Sequence, residues 1–281
     1  MNNLKVWLLM AALSAILVLI GGAIGGKSGA LLFFLISLGM NLFSYYYSDK
    51  VAISMTRSRP VSEEEAPGLY DVVRRLTKRA GLPMPRLYIT PSPQPNAFAT
   101  GRNPAHSAVA VTEGLLRLLN QSELEGVLAH ELAHIKNRDV LIGTIAAAFA
   151  GAITMISNIV QWGAFFGMGQ DDEEGGGGSF IASLLLALIA PVAAMIIQLA
   201  ISRSREYLAD ETGARMAGNS GGLANALLKL DSAARRIPMQ VNPAASHLFI
   251  VNPLSGESIA RLFSTHPPIG ERVKRLNAMA I

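Results

Sequence analysis

Four long apolar runs dominate the pattern of hydrophobic and polar positions along the chain. They cover residues 4–24, 30–47, 140–166 and 180–201. A helix rises about 1.5 Å per residue, so roughly 20 apolar residues are needed to cross the hydrocarbon core of a bilayer. Each run therefore predicts a transmembrane helix. The first run is too long for the apolar part of a cleaved signal peptide and a second follows at once, so we interpret it as a retained anchor.

The third and fourth runs have an alternative interpretation as two buried core helices of a soluble domain. Their length and lack of charged residues favour membrane spans. The linker between them contains Asp171, Asp172, Glu173 and Glu174, followed by four glycines. Its composition predicts a flexible loop.

The segment between the second and third runs has the mixed pattern of a globular domain. Its first predicted helix carries an apolar face of Leu69, Val72, Val73 and Leu76. This helix begins either from the capping-box spacing of Ser62 and Glu65 or at Pro67. Three β-like runs follow, at residues 86–89, 96–100 and 107–112, and they predict a small sheet.

Helices are also predicted around the third and fourth runs. Ser122 and Glu125 have capping-box spacing directly before an apolar sequence, which predicts a helix that starts there. Residues 205–217 predict another helix after the fourth run. A stripe of Ile269, Val273 and Leu276 predicts a short final helix.

Composition and charge agree with a membrane protein. Hydrophobic residues make up 51% of the 281 residues and charged residues 16%, against about 25% charged in soluble proteins. The net charge is +4, but the basic residues are spread along the chain, so we expect no nucleic-acid partner. The chain has no cysteine, which excludes disulfides, a cysteine nucleophile and a thiolate zinc site.

Lysine and arginine residues near the ends of the runs predict the orientation. They flank the central segment and follow the fourth run, whereas the linker between the third and fourth runs is purely acidic. The positive-inside rule then places both termini and the central segment in the cytoplasm. The turn around Lys27 and the acidic linker lie outside.

Residues 130–134 form the motif His-Glu-Leu-Ala-His on a predicted helix. Residues four apart lie on one helix face, so His130 and His134 can bind one ion, and imidazole nitrogen suits zinc. Glu131 is adjacent and can act as the general base without binding the metal. The alternative is a helix with two surface histidines. The motif follows predicted helix-start residues and is followed by further candidate site residues, which favours the zinc site.

A catalytic zinc site needs a third protein ligand, and Glu206 is the candidate. It lies in Ser-Arg-Glu-Tyr-Leu-Ala-Asp, where Asp210 is four residues later on the same face. Asp210 is expected to accept the N–H of a ligating histidine and so to fix its tautomer. The alternative is an ordinary polar helix leaving the membrane. If Glu206 is not the ligand, Glu113 and Glu211 are the next candidates.

With these motifs, the chain resembles the HtpX family of membrane zinc metalloproteases, a gluzincin family that also includes the CAAX prenyl proteases. The resemblance rests on the early apolar runs, on Asn-Ala-Phe-Ala at 96–99, on residues 130–134 and 203–210, and on Ser-Thr-His-Pro-Pro at 264–268. It implies that Glu206 is the third ligand and that the fold around one zinc ion per chain is gluzincin-like. It also implies a role in quality control of membrane proteins.

Two more sites follow mainly from the resemblance. Asn96, Ala97, Phe98 and Ala99 match the family's edge strand, which would pair with an extended substrate; the alternative is a plain loop. His266 is expected to donate to the developing oxyanion, the alternative being a turn histidine before two prolines. His106 and His247 receive no role.

The resulting expectation is a mainly α integral membrane protein with four transmembrane helices and a cytoplasmic gluzincin-like protease domain containing a small β-sheet. Residues 1–49 hold two spans, 50–139 the part with the histidine motif, 140–201 the second pair of spans and 202–281 the part with the third ligand. The expected activity is zinc-dependent endopeptidase action on misfolded or unassembled membrane proteins at the inner membrane. The alternatives are a prenyl-protein protease and a non-enzymatic scaffold or transporter with structural zinc. Acidic or histidine residues inside the runs would favour transport, and there are none.

Overall fold

The computed structural model describes residues 2–143, 145, 203–237, 239, 246, 248–253 and 267–281. Most of the third apolar run, the acidic linker and the fourth run lie outside the described residues. His247 and His266 also lie outside them.

The first two apolar runs form the arms of a helical hairpin, α1 (Asn2–Met55). The helix is broken at Gly25 and Gly26, and Gly26 has a φ of 58°, which favours glycine. Near the base of the hairpin, Trp7 of the first arm stacks on Tyr45 of the second, with ring centroids 6.4 Å apart. The two predicted helices are therefore neighbours that pack antiparallel.

Within the described part of the chain, one stretch is long and apolar enough to cross a membrane, Gly25–Met55. Large apolar side chains such as Leu31, Leu35 and Phe43 are exposed along it, as expected of a surface that faces lipid. The first apolar run is not part of this stretch, and most of the third run and the whole fourth run lie outside the described residues, so the total of four spans remains a prediction.

A four-stranded mixed sheet follows the hairpin. Its strands are β1 (Arg59–Pro60), β2 (Arg86–Thr90), β3 (Ala97–Gly101) and β4 (Ser107–Thr112), in the order β1-β2-β4-β3. β2 and β4 are parallel, and the other two pairs are antiparallel. A short 3-10 helix, Pro104–His106, connects β3 to β4. β3 is an edge strand, and this places the Asn-Ala-Phe-Ala segment at the border of the sheet.

Both faces of the sheet are covered. On one face, Leu87, Val109 and Val111 belong to the main core, which also contains the buried residues of helix α2 (Pro67–Ala80). On the other face, Phe98 packs against Phe249 and near Ala52 at the end of α1. The membrane hairpin is therefore joined directly to the sheet.

Two helix starts show which capping signals the chain uses. Pro67 is the first residue of α2, although the Ser62 and Glu65 side chains still bond each other's backbone N–H. After the short helix α3 (Glu113–Leu118) comes α4 (Gln121–Lys136), which carries the histidine motif.

The predicted capping box of α4 at Ser122 and Glu125 is wrong. The cap is Asn120 with Glu123, each side chain accepting the other's backbone N–H at 2.9 Å. Ser122 instead accepts from Asn219. The same spacing thus occurs two residues earlier, where Asn serves as the cap.

Three further helices complete the described core: α5 (Arg203–Ala217), α6 (Ser220–Ala234) and α7 (Ile269–Asn277). α4 packs most extensively on α5 and α6. Glycine makes these approaches close. A Cβ on Gly213 of α5 would lie only 2.8 Å from the backbone nitrogen of His130 on α4. The helix that carries Glu206 therefore lies against the backbone of the histidine motif.

Candidate metal centre

The two histidines of α4 converge on one point. They are one turn apart on the helix, and their Nε2 atoms are 3.1 Å from each other. The rings meet edge to face, with centroids 4.7 Å apart. His130 is fully buried and His134 largely so. Their spacing alone produces this arrangement, because residues i and i+4 share a helix face.

α5 brings a carboxylate to the same point. Glu206 Oε2 lies 3.8 Å from His130 Nε2, and Glu206 Oε1 lies 3.6 Å from His134 Nε2. Ligand atoms of His130, His134 and Glu206 all lie within 4.8 Å of one another, and this is the group in the described part of the chain that can hold a metal ion. Two imidazoles and one carboxylate are a protein donor set found in catalytic zinc sites. The residues present therefore fit such an ion.

Each histidine has a carboxylate at its other nitrogen. Asp210 Oδ1 is 2.9 Å from His130 Nδ1, and Asp139 Oδ1 is 3.0 Å from His134 Nδ1. A carboxylate at Nδ1 holds the proton there and leaves the Nε2 lone pair directed at the metal position. Asp139 was not identified from the sequence.

The backbone after α4 explains how Asp139 reaches His134. α4 ends at Lys136, and Arg138 adopts a left-handed conformation with a φ of 56°. The Asp139 N–H then donates to the His134 carbonyl oxygen at 3.3 Å. The chain thus reverses just before the third apolar run, and no helical periodicity signals this contact.

Arg272 of α7 is the second residue that the sequence did not single out. Its guanidinium is fully buried and donates to both oxygens of Asp210, at 2.8 and 2.7 Å. It also lies 3.6 Å from Glu206 Oε2 and donates to the Ile250 carbonyl oxygen. A buried arginine needs such partners. In the sequence it lies in a short amphipathic helix and looks like a solvated charge.

Glu131 is buried beside this cluster. Burial, together with repulsion from Glu206, raises its pKa to about 7, although His134, Arg272 and an N–H from Ala99 oppose the shift. A carboxyl group with a pKa near neutrality can both take up and release a proton at physiological pH. Ala99 belongs to β3, so the edge strand lies next to this carboxyl group.

Charge inside the site is set by its ion pairs. Burial alone would raise the pKa of Asp210, but Arg272 and His130 lower it to about 2. Burial lowers the pKa of His130. For His134, burial acts in the same direction, but the nearby Asp139, Glu206 and Glu131 carboxylates raise the pKa above its usual value.

Part of the predicted substrate-binding strand is already hydrogen-bonded to another segment of the protein. The Asn96 side chain exchanges hydrogen bonds with the Val251 backbone, and the Ala97 carbonyl oxygen accepts from Ile250 at 3.0 Å. Asn96, Ala97 and Phe98 are fully buried. Within this segment, the Ala99 backbone N–H donates to Glu131. Substrate binding by these residues remains a prediction, and contacts there would involve backbone groups.

The remaining candidates are placed as follows. His266 lies outside the described residues, so its role remains a prediction. His106 is exposed and hydrogen-bonds Asn103. The two alternative third ligands form other ion pairs, Glu113 with Arg117 and Glu211 with Arg215.

Comparison with known proteins shows the family of the chain. The sequence profile of "Peptidase family M48" matches residues 63–280. A "Protease HtpX homolog" of Thermodesulfovibrio yellowstonii is 57% identical over 280 residues, covering 100% of this chain and 99% of the relative. Another from Desulfatibacillum aliphaticivorans is 55% identical, covering 98% and 89%. A third from Pyrococcus furiosus is 53% identical, covering 98% and 94%.

A solved structure shares the fold. The crystal structure of S. mikatae Ste24p matches with a TM-score of 0.52 and 18% sequence identity, covering 98% of this chain and 67% of that one. At this identity the likeness concerns the fold alone. Its extent includes the N-terminal hairpin as well as the protease part.

Proposed function

This chain belongs to peptidase family M48 and is a membrane metalloprotease, and we propose that it is a zinc-dependent endopeptidase acting on misfolded or unassembled membrane proteins. The observation that carries the proposal is the convergence of His130, His134 and Glu206, with Glu131 buried beside them. Three ligands fit a catalytic centre better than a structural one, which usually has four. This argues against a non-enzymatic scaffold.

The proposed chemistry gives each candidate side chain a role. His130, His134 and Glu206 would hold the zinc, which when bound would supply Lewis-acid chemistry to the scissile carbonyl and to the attacking water. Glu131 accepts the proton of the attacking water and passes it to the leaving amine. Asp139 and Asp210 orient the two imidazoles. His266 donates to the developing oxyanion.

The substrate is an extended polypeptide. We assign its docking to β3, with backbone groups near Ala99 pairing to the segment that is cut, because strand addition holds a peptide without selecting its side chains. The edge of the sheet near Ala97 is already bonded to Ile250. An incoming strand would therefore align from Ala99 onward.

The site faces the cytoplasm at the bacterial inner membrane, with both termini on the same side. Support comes from the basic residues around residues 50–139 and after residue 201 and from the purely acidic linker. Ala52, near the end of the membrane hairpin, packs with the sheet. The activity would then serve quality control of envelope proteins.

The test uses purified protein in lipid vesicles with a membrane protein that carries an unfolded tail. Wild type should cut the tail, and a chelator should abolish cutting until zinc is restored. Glu131→Gln is nearly isosteric and keeps the three ligands, so zinc should stay bound while turnover falls about 10²–10⁴-fold. Wild-type turnover in this variant, or cutting that persists in chelator, would refute the mechanism.

A second substrate distinguishes the proposed endopeptidase from the alternative, a prenyl-protein protease. A peptide ending in a CAAX sequence is offered with and without its prenyl group. The proposal expects no preference for the prenylated form. Cutting restricted to the prenylated peptide would instead establish the prenyl protease.

A further inference from the structure

A cavity of about 280 Å³ lies at the foot of the membrane hairpin, outside the metal centre. This is near the lower end of the usual ligand-pocket range of about 300–1,000 Å³. Its walls come from three parts of the fold: the two arms of α1, the β3–β4 connection and the chain reversal after α4. The residues that line the cavity include Trp7, Tyr45, Arg102, Asn103, Arg138 and Leu141.

The cavity has a positive, polar side. Arg102 and Arg138 both line it, and no acidic residue does. Among the residues that the structure describes, neither guanidinium is within ion-pair distance of a carboxylate. The contacts of Arg102 are to Tyr46, at 3.5 Å to the carbonyl oxygen and 5.1 Å to the ring centroid. Two arginines without an anionic partner favour an anion, and phosphate suits their planar donor pattern.

The opposite side of the cavity is formed by the two arms of the hairpin. Trp7 and Tyr45 stack there, and both residue types concentrate where a bilayer meets water. Leu4 and Leu8, on either side of Trp7 in the chain, are more than half exposed. The cavity therefore has apolar helix surface on one side and cationic groups on the other.

We propose that this cavity binds the headgroup of an anionic phospholipid. The phosphate lies between Arg102 and Arg138, and the acyl chains follow the exposed apolar surface of the hairpin. Lipid binding here does not require catalysis, because neither Glu131 nor a metal ligand lines the cavity.

The site has a structural link to the metal centre. Arg138 and Val140, both in the cavity wall, flank Asp139, whose carboxylate is 3.0 Å from His134 Nδ1. Arg138 has a left-handed backbone, which costs free energy in a residue other than glycine. A headgroup bound to Arg138 would stabilise the backbone turn after α4 that positions Asp139.

The native tryptophans allow a direct binding experiment. The chain has two, Trp7 and Trp162, so Trp162→Phe leaves only the indole that lines the cavity. Its fluorescence is measured in vesicles that contain brominated phosphatidylglycerol or brominated phosphatidylcholine at equal fraction. We expect the anionic lipid to occupy the quenching site at least about fivefold more strongly, since one basic residue near an anionic surface contributes roughly that factor.

Variants in the same background test the assigned residues. Arg102→Gln with Arg138→Asn should abolish the preference, and Asn is chosen because it tolerates the left-handed backbone. Arg138→Lys keeps the charge and should retain most of the preference. Lys136→Gln removes an exposed charge two residues away, outside the cavity, and should leave it unchanged.

Each contrary result overturns the proposal. Equal quenching by the two lipids, or a preference that survives the double variant, removes the site. An equal loss in Lys136→Gln would reduce the effect to general surface charge. Addition of millimolar inorganic phosphate should not relieve quenching by the anionic lipid; relief would assign the cavity to soluble phosphate.

Discussion

At the scale of single residues, each histidine of the metal centre is contacted by a carboxylate at the ring nitrogen that points away from the metal position. Asp210 and Asp139 contact the two Nδ1 atoms, and Arg272 neutralises Asp210 in a fully buried position. The two histidines and Glu206 could be identified from the sequence, because their chemistry shows in local helix spacing. Asp139 and Arg272 could not, because one depends on a backbone reversal and the other on a contact between α7 and α5.

Asp139→Ala should weaken zinc binding by about 10–100-fold, the usual effect of removing the carboxylate behind a ligating histidine. The same loss is expected for Asp210→Ala. Zinc affinity is measured by competition with a chromogenic chelator. Asp71→Ala, which removes a carboxylate from an exposed ion pair on α2, is the matched control and should bind zinc normally. Wild-type affinity in Asp139→Ala would exclude the assigned contact.

Arg272→Met should shift acid unfolding to higher pH. In the wild type the pKa of Asp210 is lowered to about 2, so its charged form stabilises the fold above the unfolded-state pKa of 3.8. This contribution is lost as the pH falls from about 4 towards 2. Without the guanidinium the pKa of Asp210 rises, so the loss begins at higher pH.

Breaking a buried ion pair on one side also costs about 3–5 kcal/mol of unfolding free energy at neutral pH. Denaturant unfolding followed by circular dichroism at several pH values measures both effects. Arg275→Met, on the exposed side of the same helix, should show neither. An unchanged acid midpoint in Arg272→Met would contradict the electrostatic account.

At the scale of elements, the sequence predicted those with a clear apolar period and missed those that depend on tertiary contacts. The apolar face of α2 and three strands were recognisable. β1 is only two residues long, and its strand character comes from pairing with β2. α6 begins at Ser220, and the Gly221 and Gly222 that follow resemble a loop in a sequence. In the fold, Gly222 lies directly against the Ser122 backbone of α4.

Gly213→Ala should disturb the metal centre without altering any ligand. The new Cβ would lie 2.8 Å from the His130 backbone nitrogen and 2.9 Å from the His130 Cα. Helix α5 must therefore move away from α4, and Glu206 moves with it. Overpacking of this kind costs about 1–3 kcal/mol. Zinc affinity and melting temperature should both fall.

The matched control is Gly68→Ala in α2, where a Cβ would meet nothing within 4 Å. Alanine has a higher helix propensity than glycine, so that helix should be no less stable than in the wild type. If Gly213→Ala behaved like this control, the close packing of α4 on α5 would not be needed to position Glu206.

At the scale of the whole molecule, the ligands belong to two segments separated by the third and fourth apolar runs. His134 lies six residues before Val140, and Glu206 lies five residues after Ile201. Even fully extended, each connection spans at most about 20 Å. If both runs cross the bilayer, the metal is confined close to the membrane surface. The family and its chemistry could be read from the sequence, because they are carried by local motifs.

Single-cysteine labelling should establish that side, because the natural chain contains no cysteine. Gly176→Cys in the acidic linker should react with an impermeant reagent from outside the cell. Ala105→Cys, exposed in the β3–β4 connection, and Ala280→Cys should react only after the membrane is opened. A site so close to the cytoplasmic surface would admit an extended tail or loop but would exclude a folded domain. Cuts in membrane-protein substrates should therefore map to unfolded cytoplasmic segments. Outside labelling at Ala105→Cys, or cuts mainly in periplasmic loops, would reverse the orientation and change the substrate class with it.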